Sequence, residues 1–455
     1  MENRTDMTVG VGWKHVVHFS LPLMLGNFLQ QLYNTVDGII VGQMISEEAL
    51  AAVGNCSMLI FLFLAIAMGL SNGATVALSQ YFGARQEKNM RLCASSAILL
   101  LVGLGLVCAA AGAAFATPLL QGLMGTPEGL VLTFSESYFR IYAIGLLFQF
   151  AYNILAAVLR AVGDSRATMY FLLISSILNI GLDLLFVGSF HWGVAGAAAA
   201  TVLSQAASVG FSWRYIMRHY AVFRFRRGEF VYDRRMGAIC LKMGIPTMLQ
   251  QGAVALGGVI MQRLVNSFGG QLMAAYTVGN RVQNYAFIPI FGFNSGMAVF
   301  SGQNIGAGKT ERVQEAIRRV ELLSVAFALA ISALSYAFAG EISAAFGVQG
   351  ESRTMAVEMI RFMSLYLFLF AIYLPLMGLL QGAGDTFYTM LCSMLTLALR
   401  VATAYFLVFF CHMDYHATWV CIPVGWALGV LMGVGRYLSG TWKKKSIVRR
   451  EEENG

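Results

Sequence analysis

Two carboxylates stand where a chain this apolar would not ordinarily carry them. Asp37 and Asp183 sit inside long apolar segments, where an acid costs about 2.5–3.5 kcal/mol on membrane-insertion scales. Around Asp37, the residues Asn27, Gln30, Gln31 and Asn34 recur every three or four positions, which places them on one face of a helix. Ser175, Ser176, Asn179 and Asp183 repeat that stripe, and Thr201, Ser204, Gln205 and Ser208 form a third. Three such faces, with Asn153 as a further polar group, would wall a cavity shielded from lipid. Two carboxyls sharing it favour a bound proton. The same oxygens, with the Asn179 amide and Thr201 hydroxyl, equally suit sodium as a hard cation. We expect coupling by one or the other at Asp37, Asn179, Asp183 and Thr201.

The second half of the chain has no acid in register with either. Displacing Asp37 by 221 to 223 positions lands among Gly258, Val259 and Ile260, and Asp183 falls near Ala404 and Tyr405. Coupling is therefore expected in the first half. The second half offers Gln250, Gln251, Thr277, Asn280, Arg281 and Asn284 as a candidate substrate cleft. Arg281 and Arg400 lie within spans, where an ion pair, snorkelling or an anion contact would each account for a basic residue. Enzyme signatures are scarce: His412 and His416 lack a third ligand, and Gly302 to Lys309 lacks the glycine spacing of a phosphate loop. No catalytic residues and no cofactor beyond the coupling ion are expected.

These residues need membrane helices to hold them. Of 455 residues, 58% are hydrophobic and only 12% are Asp, Glu, Lys or Arg, a composition that excludes an ordinary soluble domain. Apolar runs near 16–44, 50–80, 92–116, 134–159, 167–188, 193–213, 239–266, 273–300, 320–340, 355–380, 387–410 and 416–438 predict twelve helical spans. The two terminal segments and the alternate loops between the spans together hold 24 of the 31 Lys and Arg residues, so both termini are expected in the cytoplasm. That distribution explains the net charge of +8 by anionic lipid rather than nucleic acid. The first 20 residues lack the pattern of a cleaved secretory signal, and the seven Cys lack metal-site spacing.

The halves repeat. Leu50-Ala51-Ala52, Gly73, Gln80, Gly83 and Ala84 return as Met273-Ala274-Ala275, Gly296, Gln303, Gly306 and Ala307 at an offset of 223, while Leu159, Gly163, Asp164, Thr168 and Met169 return at 221. The fold class is therefore an all-α membrane protein of twelve transmembrane helices in two parallel six-helix lobes related by pseudo-twofold symmetry. The expected boundaries are an N-terminal lobe over 1–218, a cytoplasmic linker over 219–238, a C-terminal lobe over 239–440 and a tail over 441–455.

Leu29 to Asp37 with Val41-Gly42, Leu50 to Gly54, Leu178-Asn179-Ile180-Gly181-Leu182-Asp183 and Gly196 to Thr201 resemble the multidrug and toxic compound extrusion family over nearly the whole chain. Acids on spans 1 and 5 look like the subfamily named after DNA-damage-inducible protein F. The resemblance implies Asp37, Asn179, Asp183 and Thr201 as the cation site. It also implies cation-driven antiport of small lipophilic, often cationic compounds across a bacterial cytoplasmic membrane. We further expect a monomer among membrane lipids. A lipid-linked oligosaccharide flippase is the nearest alternative, and would carry an Arg-rich cleft; a membrane-embedded transferase would need paired catalytic acids in a polar loop.

Overall fold

The computed structural model describes residues 6–123, 129–225 and 228–448, apart from the side chains of Asn34 and Leu123. Arg4, Glu128, Arg226, Arg227, Arg449 and Arg450, which contribute to the loop-charge pattern, lie outside the described residues. The twelve long helices are α1 (Gly12–Met44), α2 (Glu47–Gly83), α3 (Glu87–Ala114), α4 (Leu130–Ala161), α5 (Ser165–Asp183), α6 (Gly193–His219), α7 (Arg234–Asn266), α8 (Gly270–Gly306), α9 (Thr310–Ala337), α10 (Gly350–Gly382), α11 (Thr386–Phe409) and α12 (Ala417–Leu438). Each corresponds to one expected span. Among the described residues, nine contain a stretch long and apolar enough to cross a membrane; α1, α7 and α8 are not among them. Those three carry the polar stripes of Asn27 to Asp37, Gln250 to Gln262 and Thr277 to Asn284, which lower their average apolarity.

Local chemistry sets the helix ends. Ser46 caps α2, its Oγ accepting from the Ala49 amide at 3.1 Å, and Glu47 and Glu48 occupy the first turn, where a negative charge complements the helix dipole. Gly163 closes the turn after α4 with φ of 86°, a conformation that costs glycine little. Asp164 then caps α5 through the Ala167 amide at 3.0 Å. The pattern returns in the second copy at Gly384, with φ of 88°. There, Asp385 pairs with Arg436 at 2.8 Å instead.

The chain divides into two compact units whose limits differ from a cut at the linker. One holds Asp6 and Leu25–Met248, and the other holds Met7–Met24 and the described chain from Leu249 onward. Thus α1 passes between units two residues after Pro22, and α7 two residues after Pro246. Close backbone packing explains the division. A Cβ on Gly73 of α2 would lie 2.3 Å from the Gly244 nitrogen of α7, and one on Gly69 as close to Met248 Cα. Thr247 Oγ1 donates to the Gly69 carbonyl at 2.7 Å. In the second unit, the counterparts Gly296 and Gly292 of α8 receive Ser20 and Met24 of α1, and Ser20 Oγ donates to the Gly292 carbonyl at 2.8 Å.

The expected linker over 219–238 is shorter than its polar sequence suggests, since α7 begins at Arg234. It is also docked. Arg91 Nε of α3 donates to the Val222 carbonyl at 2.9 Å and its guanidinium pairs with Glu229 at 3.1 Å. Ser95 Oγ donates to Val231 O at 2.8 Å and Ser96 Oγ accepts from the Asp233 amide at 2.9 Å.

Candidate functional site

Three helices of the first unit bring the acids together. Asp37 lies on the part of α1 that belongs to this unit, Asp183 ends α5, and Thr201 stands on α6. Directly after Asp183 the helix widens into a π-helical turn, Leu184–Ser189, an irregularity that often accompanies functional sites. The two carboxyl groups are within hydrogen-bond reach of each other. Such a contact requires a proton or another cation between them, because two ionised carboxylates have only acceptors to offer. The Oδ1 atoms of Asp37 and Asp183 are both buried without a hydrogen-bond partner.

Asn179, one turn before Asp183, completes the arrangement. Its amide nitrogen donates to Asp183 Oδ2 at 2.8 Å and to the Tyr33 hydroxyl at 3.1 Å, while its oxygen accepts from the Thr201 amide at 3.1 Å. The reverse orientation would set the amide oxygen against acceptors. Thr201 Oγ1 donates to the Ala197 carbonyl at 3.1 Å. Asn179 and Asp183 are 1% and 0% exposed, so the Asp183 oxygens meet the protein, not bulk solvent. The geometry can hold one proton, or offer several oxygen ligands to a small hard cation.

Tyrosines that the sequence reading left out surround Asp37. Tyr33 contacts the Thr201 side chain, and Tyr33, Tyr138 and Tyr142 all bring their phenols within electrostatic reach of Asp37. Tyr138 and Tyr142 stack at 5.9 Å between ring centroids. The available signal was the Tyr33 position, four residues before Asp37 and hence on the same helix face. Glu321 was also passed over. It stands at the edge of an apolar run that begins at Val320, but α9 starts at Thr310, which puts Glu321 well inside the helix. Its Oε1 is buried without a partner. The second half therefore does carry an intrahelical acid, though out of register with Asp37 and Asp183.

The remaining candidates are more dispersed. Asn153 donates to its own helix at Gln149 O, 2.9 Å away, and Gln149 reaches the Tyr142 hydroxyl at 3.4 Å. Gln205 is half-buried with Oε1 unpartnered, Gln30 is exposed, and the Asn34 side chain lies outside the described residues. In the second unit, Gln250 Nε2 donates to Ser393 Oγ at 2.7 Å. Gln251 and Asn280 are half-buried, whereas Thr277, Arg281 and Asn284 are exposed. Thr277 Oγ1 donates to Met273 O at 2.8 Å. Among the described residues, no hydrogen bond joins these six into one cluster.

The family model MatE matches residues 22–185 and 246–406, one match in each copy of the internal repeat. The "Probable multidrug resistance protein YoeA" of Bacillus subtilis (strain 168) is 28% identical over 445 residues, 96% of each chain. The "Probable multidrug resistance protein YpnP" of the same organism is 33% identical over 312 residues, 68% of each chain. Among solved structures, one described as the outward-facing conformation of a multidrug resistance MATE family transporter of the MOP superfamily superposes with a TM-score of 0.91 at 24% identity, covering 98% of this chain and 99% of that one. At that identity it speaks for the fold. With both repeats matched by one family model, the chain belongs to the MatE family, the multidrug and toxic compound extrusion transporters that its sequence resembles.

Proposed function

We propose that this protein is a secondary active efflux antiporter that exchanges external protons or sodium for small lipophilic, often cationic compounds by alternating access. The observation that carries the reading is the pair of neighbouring carboxyls, Asp37 and Asp183, within hydrogen-bond reach of each other among α1, α5 and α6. An empty, doubly ionised pair is costly in a water-poor interior, so the site prefers a state with one cation bound. Because Asp37 and Asp183 reside on different helices, binding draws α1 and α5 together and release lets them part. Pro22 in α1 interrupts the backbone hydrogen-bond ladder and offers a place where that change bends the helix. A ligand can shift such an equilibrium only by its differential affinity for the two states; the carboxyl pair provides that difference.

The named multidrug resistance relatives support the substrate class. The inward-biased Lys and Arg support cytoplasmic termini in a bacterial cytoplasmic membrane, and a monomer suffices because both repeats lie in one chain. The test is efflux from everted vesicles under proton and sodium gradients imposed separately, with Asp37→Asn and Asp183→Asn at matched expression. Both variants should lose gradient-driven efflux while inserting normally. Wild-type rates in both would reduce the pair to packing.

A further inference from the structure

Cys93 of α3 and Cys240 of α7 face each other with their Sγ atoms 3.6 Å apart. Both are free thiols, buried at 0% and 1% exposure. The other cysteines stand differently. Cys56 meets the Ser135 carbonyl at 3.4 Å and Cys421 the Thr418 carbonyl at 3.4 Å, Cys392 lies 4.0 Å from the Gly429 carbonyl, and Cys411 is exposed. Among the described residues, no other two cysteines come within hydrogen-bond reach of each other. Each thiol of the pair lies roughly 9 Å along its helix from the first residue, at 1.5 Å per residue. The fold holds the two in register from both sides. Arg91, Ser95 and Ser96 of α3 bind Val222, Val231 and Asp233 in the chain that leads into α7. Beyond Cys240, Thr247 bonds the Gly69 carbonyl at 2.7 Å. All of these residues belong to the first unit.

We propose that Cys93 and Cys240 are a modification site, a dithiol that hydrogen peroxide converts to a disulfide, stapling the first half of α7 to α3. The sulfurs must close by about 1.5 Å to reach bonding distance, a shift on the scale of a side-chain rotation. One sulfur, as thiolate, attacks a peroxide oxygen; the O–O bond breaks, a sulfenic acid forms, and the displaced oxygen takes up a proton and leaves as water. The second thiol attacks the sulfenic sulfur, the S–S bond forms, the S–O bond breaks, and a second water departs. Two thiols thereby lose two electrons and two protons, and one peroxide becomes two waters. Burial makes the product lasting. Hydrogen peroxide is uncharged and little larger than water, whereas glutathione is charged and far larger and cannot bring its sulfur against a covered bond. Because α7 changes unit only after Met248, a staple at Cys240 leaves that crossing free, and export continues with the bond in place.

The test exposes the purified full chain in detergent to hydrogen peroxide, removes the oxidant with catalase, unfolds the protein and counts its thiols with a maleimide. Linked peptides are then mapped by mass. Wild type should lose two labelled thiols, carry a link between Cys93 and Cys240, and melt about 3–10 °C higher than before oxidation. Cys93→Ala and Cys240→Ala should keep their remaining thiols and show no shift; if neither folds, the mapped wild-type link and its midpoint decide. Glutathione should leave the link intact in the folded protein and remove it once the chain is unfolded. An undiminished thiol count, a link to any other cysteine, a link without a rise in midpoint, or its prompt reduction in the folded protein would each overturn the assignment. In proteoliposomes, oxidised wild type should export at its unoxidised rate. An arrest that Cys240→Ala escapes would mean that α3 and the first half of α7 part during transport, and would overturn the tolerated staple. If the chain exports nothing before oxidation, the export reading fails, and the link and the midpoint decide this one by themselves.

Discussion

In the proposed coupling site Asp37 and Asp183 act as a pair, and Asn179 is the residue that holds one of them in place. The amide bridges Asp183 Oδ2, the Tyr33 hydroxyl and the Thr201 amide at 2.8, 3.1 and 3.1 Å, so each partner fixes the direction of the others. Tyr33→Phe removes one of these contacts and should slow gradient-driven efflux by roughly 2- to 10-fold, the scale of one hydrogen bond. Asn179→Ala strips all three and should slow it further, while protein yield in the membrane stays near wild type. Initial efflux rates at fixed gradient measure both; a Tyr33→Phe effect larger than that of Asn179→Ala would contradict the bridging role. The acids and the amide were legible in the sequence because a charge or an amide within an apolar run stands out. Tyr33, Tyr138 and Tyr142 were not, since a tyrosine among Leu, Phe and Ile reads as packing. Distance in sequence hides the rest: residues near 33, 138 and 201 meet only when α1, α4 and α6 are assembled.

The elements that hold this arrangement depend on glycine where two helix backbones touch. At Gly73 an added methyl would fall 2.3 Å from the Gly244 nitrogen, whereas at Gly54 in the same helix nothing lies within 4 Å. Gly73→Ala should therefore destabilise the protein by about 1–3 kcal/mol or more, as overpacking does against backbone that cannot yield. Gly54→Ala should be neutral or stabilise by up to about 1 kcal/mol through helix propensity. Thermal denaturation in detergent separates them, and equal midpoints would refute the close approach. The helices themselves were readable from apolar runs, and the repeat from matched positions such as Gly73 and Gly296. What those matched glycines receive was not readable. Contact across α2 and α7 depends on tertiary arrangement, which hydropathy does not encode. The same limit applies to the 219–238 segment, whose basic sequence reads as a linker and says nothing of the contacts by which the fold binds it along α3 through Arg91, Ser95 and Ser96.

At the scale of the whole molecule, the charge pattern bears on the proposed orientation and the division of α1 and α7 bears on integrity. The proposed cytoplasmic placement of the 219–238 segment predicts that a cysteine at Gly228, in a Cys411→Ser background, resists an impermeant thiol reagent added outside intact cells and reacts in everted vesicles; the opposite pattern would invert the topology. Integrity follows from the division of α1 and α7. The second unit includes Met7–Met24, and the first includes α7 up to Met248, so a cut at the linker leaves each half without a segment that its own unit packs around. A fragment of residues 1–226 lacks Gly244 and Met248 against Gly73 and Gly69, and a fragment of 227–455 lacks Ser20 and Met24 against Gly296 and Gly292. Each would expose glycine-lined grooves and lose the Thr247 or Ser20 hydrogen bond to the facing carbonyl. Neither fragment expressed alone should give a protease-resistant, monodisperse species in detergent. Co-expression should restore both, because the exchanged segments can then dock in trans, and gradient-driven efflux should return with them. A single fragment that is stable alone would show that its borrowed helix half is dispensable, and the unit would have to be redrawn at the linker.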